Sequence, residues 1–173
     1  MGWHNVLAKL SGYVKLHVRG RDVRVYGAPQ TPEYGNWAFQ YPHTMDPWSR
    51  HVPETTNVLV THGQAKGHVD AASPATGCKH LLQELWRVRP KLHVCGHIHK
   101  ARGVEIVDWS AVQWCYDQVT MGEGGLVVML GTLGAWVWAW MLWMVRGKRV
   151  GKTLFVNAAV AENEGEEAVV VEI

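Results

Sequence analysis

The sequence predicts an α/β fold, and three observations in its middle carry that expectation. Asn57-Val-Leu-Val-Thr61 is a short apolar run of strand-forming residues. Residues 77–88 place Leu81, Leu82, Leu85 and Trp86 at i, i+1, i+4 and i+5, one apolar helical face that Pro90 ends. A second apolar run, Lys91-Leu-His-Val-Cys95, follows at once. Strand, helix and strand in that order make a βαβ unit, whose two strands run parallel. In such units ligands gather beyond the C-terminal strand ends.

The remaining elements follow in chain order. Residues 14–19 alternate apolar and polar side chains, as do residues 23–26, with Gly20-Arg-Asp22 between them. This predicts a β-hairpin. One of its faces carries Lys15, His17, Arg19 and Arg24, read as a solvated basic face. Residues 28–48 hold four prolines and read as a loop in which Tyr34, Trp37 and Phe39 plug the core, with the lining of a pocket as the alternative. Residues 108–119 predict a second helix, N-capped by Asp108 or Ser110. Residues 153–159 read as a core strand with 168–173 as its neighbour. The acidic stretch 162–167 between them reads as a solvated turn.

Composition narrows the function classes. At 173 residues the chain is one domain or most of one, and its net charge of +2 gives no warrant for nucleic-acid binding. Cys78, Cys95 and Cys115 show no paired spacing, which points to a reducing compartment and a cytoplasmic location. Cys95 alternates with Val94 and reads as a buried strand thiol. The first residues lack the basic start and long apolar run of a signal peptide. Met1-Gly2 does not make a myristoylation signal, because Val6 stands where Ser or Thr is wanted.

Residues 126–145 stand apart. These twenty uncharged residues match the length of a bilayer-spanning helix, and Arg146, Lys148, Arg149 and Lys152 follow them. Trp136, Trp140 and Trp143 share one helical stripe. The expectation is an inserted apolar helix with a basic flank over residues 126–149. It rests on the domain or on a membrane surface; a transmembrane helix is the competing reading.

The chemistry-bearing residues are histidines. Thr61-His62-Gly63 ends the first apolar run and Gly96-His97-Ile-His99 ends the second. The imidazoles of His62, His97 and His99 would therefore meet at one sheet end and form a candidate metal site. Three imidazoles without a carboxylate suffice for a single Zn²⁺, and nitrogen donors favour Cu²⁺, Ni²⁺ or Zn²⁺ over Mn²⁺. His68 and His80 fall on the connecting loop and the helix start and read as surface or core residues.

From about Val23 to Gly103 the chain resembles the calcineurin-like metallophosphoesterases. The likeness rests on Val25-Tyr-Gly-Ala-Pro-Gln-Thr-Pro-Glu-Tyr-Gly-Asn-Trp-Ala-Phe-Gln-Tyr41, Val58-Leu-Val-Thr-His-Gly63, the stretch from Gly77 to Pro90, and Leu92-His-Val-Cys-Gly-His-Ile-His99. Leu154-Phe-Val-Asn-Ala-Ala159 is similar to the strand that closes the family's domain. The resemblance implies part of a metallophosphoesterase-type β-sandwich flanked by helices, formed by residues 1–125 and 150–173. It covers the C-terminal half of a family domain. It implies a hydrolase acting on a phosphoester with divalent metal ions (Mn, Fe or Zn). His62 and His97 would hold one ion and His99 the other.

The family's Asp-x-His, Gly-Asp and Gly-Asn-His motifs do not occur in this chain; Gly35-Asn36 is followed by Trp37. The bridging carboxylate and the proton donor are therefore missing, and one ion rather than two is expected. Three functional readings follow: a truncated metallophosphoesterase of low activity, an inactive remnant or membrane-attached binding module, or an incomplete gene model of a full enzyme.

Overall fold

The computed structural model describes residues 11–36, 38–70, 76–122, 125, 130, 131, 134, 137, 138, 141, 151–160 and 169–171. They form a mixed α/β unit with one six-stranded sheet. In chain order the strands are β1 (Gly12–Val18), β2 (Arg21–Ala28), the two-residue β3 (Thr31–Pro32) and β4 (Gln40–Tyr41), then β5 (Val58–Thr61). Helix α1 (Lys79–Val88) leads to β6 (Leu92–Cys95), a 3₁₀ turn at His99–Ala101, and β7 (Gly103–Asp108). Helix α2 (Ala111–Thr120) and β8 (Lys152–Asn157) complete the order. The main sheet runs β1-β2-β5-β6-β8-β7, and β3 pairs with β4 in a separate ribbon.

The central strands β2, β5, β6 and β8 are parallel, and the edges β1 and β7 are antiparallel to their neighbours. Strands of a parallel sheet carry apolar residues on both faces, so they read as continuous apolar runs. That is why Val-Leu-Val-Thr and Leu-His-Val-Cys carry little polarity. The expected hairpin is β1–β2, with Val14 opposite Val25 and Leu16 opposite Val23. The expected βαβ unit is β5–α1–β6, with Val58 level with Leu92.

Helix α1 packs its apolar stripe on one sheet face. Leu81, Leu82, Leu85 and Val88 join Tyr26, Leu59, Trp109 and Phe155 in the main core. Cys78 caps the helix by accepting the Leu81 amide hydrogen, and Arg89 ends it in the left-handed region. Helix α2 is capped by Ser110, one of the two residues expected there. Cys95 is buried, as its alternation implied. The other sheet face is apolar across Val23, Val25, Val58, Leu92, Val94, Leu154 and Val156, with Val169 and Val171 packed on it. The described residues thus form one large sheet, and a second layer of the expected sandwich is not among them.

Two expectations change, and one strand is new. Residues 169–171 form no strand. Strand β8 has β6 on one side and β7 on the other, so residues 169–171 have no free edge of β8 to join. The sequence reading missed β7, the true antiparallel neighbour of β8. The core plug of the 28–48 loop is Tyr41 and Trp48, both almost fully buried, whereas Tyr34 and Phe39 are exposed. Hydrogen bonding decides between them: Trp48 Nε1–H donates to the Tyr41 hydroxyl at 2.8 Å, and that hydroxyl donates to Cys78 Sγ at 3.0 Å. Tyr41 and Trp48 can therefore be buried with their polar atoms satisfied. Trp37 lies outside the described residues.

Within the apolar segment, residues 130, 131, 134, 137, 138 and 141 are helical. Leu130, Val137, Trp138 and Met141 are each exposed. The rest of the expected helix, including Trp136, Trp140 and Trp143, lies outside the described residues, as does the acidic stretch 162–167. Among the described residues no helix is long and apolar enough to cross a membrane. The transmembrane expectation is therefore without support.

Candidate metal centre

Strands β5 and β6 lie side by side in parallel register, Val60 level with Val94. Their C-terminal ends therefore stop together. The next residue of each chain segment keeps the pairing, since the Gly96 amide donates to the His62 carbonyl at 3.1 Å. Adjacent strands are ~4.8 Å apart, and the His62 and His97 rings repeat that spacing, with centroids 4.5 Å apart and planes inclined by 38°. The pairing of the two histidines is thus a consequence of strand register.

His97 occupies an unusual backbone conformation. Its φ is +68°, and the amide of Ile98 donates to the carbonyl of Gly96 at 2.8 Å, which closes a γ-turn around it. A γ-turn with positive φ at a side-chain-bearing residue is rare and costs ~1–3 kcal/mol. Neighbouring bonds hold it. Asn157, fully buried at the end of β8, donates from Nδ2 to the Ile98 carbonyl at 3.1 Å and to the Val69 carbonyl at 3.4 Å. Its Oδ1 accepts the Ala159 amide at 3.1 Å. The strand-end turn is thereby tied to β8 and to the loop that follows His62.

The first turn is held differently. The Thr61 hydroxyl donates to the Gly63 carbonyl at 2.7 Å, bridging His62. Gly63 is backed against Thr31, so closely that an added Cβ would lie 2.5 Å from Thr31 Oγ1. Downstream, Asp70 organises the loop: its carboxylate accepts the amides of Gly67, Thr76 and Gly77 and the side-chain amide of Gln64.

His62 and His99 are exposed and His97 is half-buried. All three line one cavity of about 420 Å³ together with Tyr34 and Ile98. The Tyr34 ring meets His97 edge-on at 6.3 Å. A larger groove of about 780 Å³, walled by Val14, Val25, Phe39 and Val60, reaches two of the same imidazoles, His62 and His97. Desolvation holds His62 below the ordinary imidazole value. Desolvation does the same to His97, helped by the proximity of His62 and His99. Both rings are therefore neutral near pH 7, the form that binds a metal.

The donor set fits a divalent ion in part. Two neutral imidazoles face one another, and His99 stands at the cavity rim as the first residue of its 3₁₀ turn. Among the described residues, no group of three or more His, Cys, Asp or Glu side chains is placed to hold a metal ion. The sequence-derived trio thus divides into a close pair, His62 and His97, and a third residue that shares the cavity.

His68 takes a core role, and His80 is half-buried. His68 is fully buried between Asp117 on α2 and Glu105 on β7, at 3.0 Å and 3.1 Å. Burial alone would lower its pKa, but these two carboxylates outweigh burial and push it up to about 9. Trp86 Nε1–H and Gln113 Nε2–H complete the hydrogen bonding of Asp117. His80 lies 3.6 Å from Asp46.

Tyr34 as a cavity wall matches the pocket-lining alternative for its loop, and two features were missed from sequence: Asn157 as the clamp on the His97 turn, and His93 beneath Thr61. Asn157 and His93 sit inside apolar strand runs, and a polar residue in such a run is the one signal that could have marked them.

Comparison with known proteins finds relatives over parts of the chain. No family model matches. A Homo sapiens protein named Metallophosphoesterase domain-containing protein 1 is 35% identical over 112 residues, 59% of this chain and 34% of its own length. A Caenorhabditis elegans protein, UPF0046 protein T07D4.2, is 39% identical over 87 residues, 47% of this chain and 22% of its own length. An Emericella nidulans protein named Probable rhamnogalacturonate lyase C is 37% identical over 161 residues, 89% of this chain and 15% of its own length. The chain thus spans about a third or less of these curated relatives. The matches support a metallophosphoesterase-like relationship over part of the chain.

Proposed function

We propose that this chain carries the imidazole side of a metallophosphoesterase centre, with His62 and His97 as ligands to a divalent ion and His99 beside them. The observation that carries the reading is the His62–His97 pair, set 4.5 Å apart by parallel strand register at the mouth of a cavity. A divalent ion bound there supplies Lewis-acid stabilisation of phosphoryl charge and lowers the pKa of water. The chain's own residues orient and confine. Asn157 and the Thr61 hydroxyl fix the two turns, and Tyr34 and Ile98 wall the cavity.

The donor set limits turnover. A two-metal centre needs bridging carboxylate charge, and the described residues place no carboxylate beside His62, His97 and His99 in the cavity lining. A missing general acid alone costs ~10²–10⁴-fold. This chain by itself therefore binds a metal but hydrolyses phosphodiesters weakly or not at all. The same observation favours a second reading, a metal-binding module without turnover.

One assay separates the two readings. Hydrolysis of an aryl phosphodiester is followed with Mn²⁺ or Zn²⁺ added, in the wild-type chain and in His97→Ala. Slow turnover abolished by His97→Ala supports the phosphoesterase reading. Metal binding with no His97-dependent turnover supports the module. Turnover in the ordinary enzymatic range of ~1–10³ s⁻¹ would show that the carboxylate and proton donor are present after all.

A further inference from the structure

We infer that His93, acting through the Thr61 hydroxyl, is a positioning residue for His62. The inference rests on the metal-site reading above but makes a separate claim about what sets the His62 turn.

His93 lies on β6, beside Thr61 on β5, and is fully buried. Its ring meets Phe155 edge-on with centroids 5.1 Å apart, which fixes its plane. Nε2 of His93 lies 2.9 Å from Thr61 Oγ1. The Thr61 hydroxyl has one hydrogen, and that hydrogen is given to the Gly63 carbonyl. The contact with His93 must therefore run the other way: Nε2–H of His93 donates to Thr61 Oγ1. This fixes the neutral tautomer, with the proton on Nε2 and Nδ1 bare.

The remaining atom agrees. Nδ1 of His93 is buried and has no hydrogen-bond partner among the described residues. A bare acceptor in that position loses its water without a replacement, a loss an apolar side chain would avoid. A buried polar group left half-satisfied calls for a reason. Here the satisfied half is the first link of a chain: His93 Nε2–H to Thr61 Oγ1, and Thr61 Oγ1–H to Gly63 C=O. The second link spans His62 and sets the peptide planes on either side of it. The His62 carbonyl then receives the Gly96 amide, which locks the turn against the one that bears His97. Burial holds His93 neutral, with a pKa lowered to about 3, so the donor is unchanged across the physiological range.

The test uses the full chain in four variants: Thr61→Val and His93→Leu break the relay, Thr61→Ser and His93→Gln keep a hydroxyl or a donor at the same reach. Two quantities are read. One is Co²⁺ affinity from the visible absorption of the bound ion. The other is the hydrogen-exchange protection of the Gly96 amide, which needs no metal. Supporting residues of this type are worth ~10–100-fold in metal affinity. The expected result is a loss of about tenfold or more in both quantities for Thr61→Val and His93→Leu, with Thr61→Ser and His93→Gln near wild type. If the wild-type chain binds no Co²⁺, the metal-site reading falls, and Gly96 protection alone decides the relay. If Thr61→Val does not fold, the comparison of His93→Leu with His93→Gln decides in its place. Equal behaviour of breaking and conserving variants overturns the inference.

Discussion

Asn157 Nδ2 donates to the Ile98 carbonyl at 3.1 Å, so a residue at the end of one strand holds a turn that belongs to its neighbour. That turn keeps His97 at a φ of +68°, facing His62. The candidate site therefore draws on three strands: β5 brings His62, β6 brings His97, and β8 holds the strained peptide in place.

Asn157→Ala should leave the Val69 carbonyl and the Ala159 amide without a partner and strip the Ile98 carbonyl of all but the Ala101 amide. Each buried orphan costs ~1–3 kcal/mol. A loss of about 2–4 kcal/mol is expected by urea unfolding, with a fall in metal affinity as His97 relaxes. A change under about 0.5 kcal/mol would show that water replaces the amide at no cost.

Much of this architecture was legible in the sequence, for reasons that particular residues make plain. The βαβ unit was readable because Val58, Leu59, Val60 and Leu92 need only an apolar environment on both faces, a local property. The histidine pair was readable because a residue just past a strand end has few places to go. Strand β7 was not legible: Gly-Val-Glu-Ile-Val-Asp is short, and Glu105 is there to meet His68, a contact 37 residues away. Asn157 and His93 were not legible because their roles exist only once β8 and β5 lie beside β6. The plug of the 28–48 loop turned on the reach of the Tyr41 hydroxyl to Cys78, which spacing does not encode.

Gly63→Ala should be destabilising although the change is a single methyl. The new Cβ would sit 2.5 Å from Thr31 Oγ1 and 3.3 Å from Thr31 Cβ. Overpacking of this kind costs ~1–3 kcal/mol. The double variant Gly63→Ala with Thr31→Ala removes the nearest atom. It should recover about half of the lost stability or more, as double-mutant cycles of touching residues do. Additive losses in the double variant would place the clash elsewhere.

Stability should pass through a maximum near neutral pH. His68 has its pKa raised to about 9 by Asp117 and Glu105 against the pull of burial. Its contribution is fully present below the unfolded value of ~6.5 and is lost as pH rises through 9, up to roughly 3 kcal/mol. His93 works in the opposite sense. Burial, together with the charge on His68, lowers its pKa to about 3, so stability falls as pH drops below ~6.5 and the unfolded chain takes up the proton. Urea midpoints from pH 5 to 9.5 should trace this maximum. In Asp117→Asn the alkaline limb should flatten, because the larger share of the His68 shift is lost. An unchanged alkaline limb in that variant would show that His68 does not set it.

Whether His62 and His97 together bind a divalent ion is decided by calorimetric titration of Zn²⁺ into the full chain. The expected result is about one ion per chain and a loss of about tenfold or more in affinity (about 1.4 kcal/mol) for each of His62→Ala and His97→Ala. His17→Ala, which removes an exposed histidine paired with Asp22 on the hairpin, should bind as wild type does. Binding that is absent in the wild type, or unchanged in both site variants, would contradict the assignment of these two histidines as ligands.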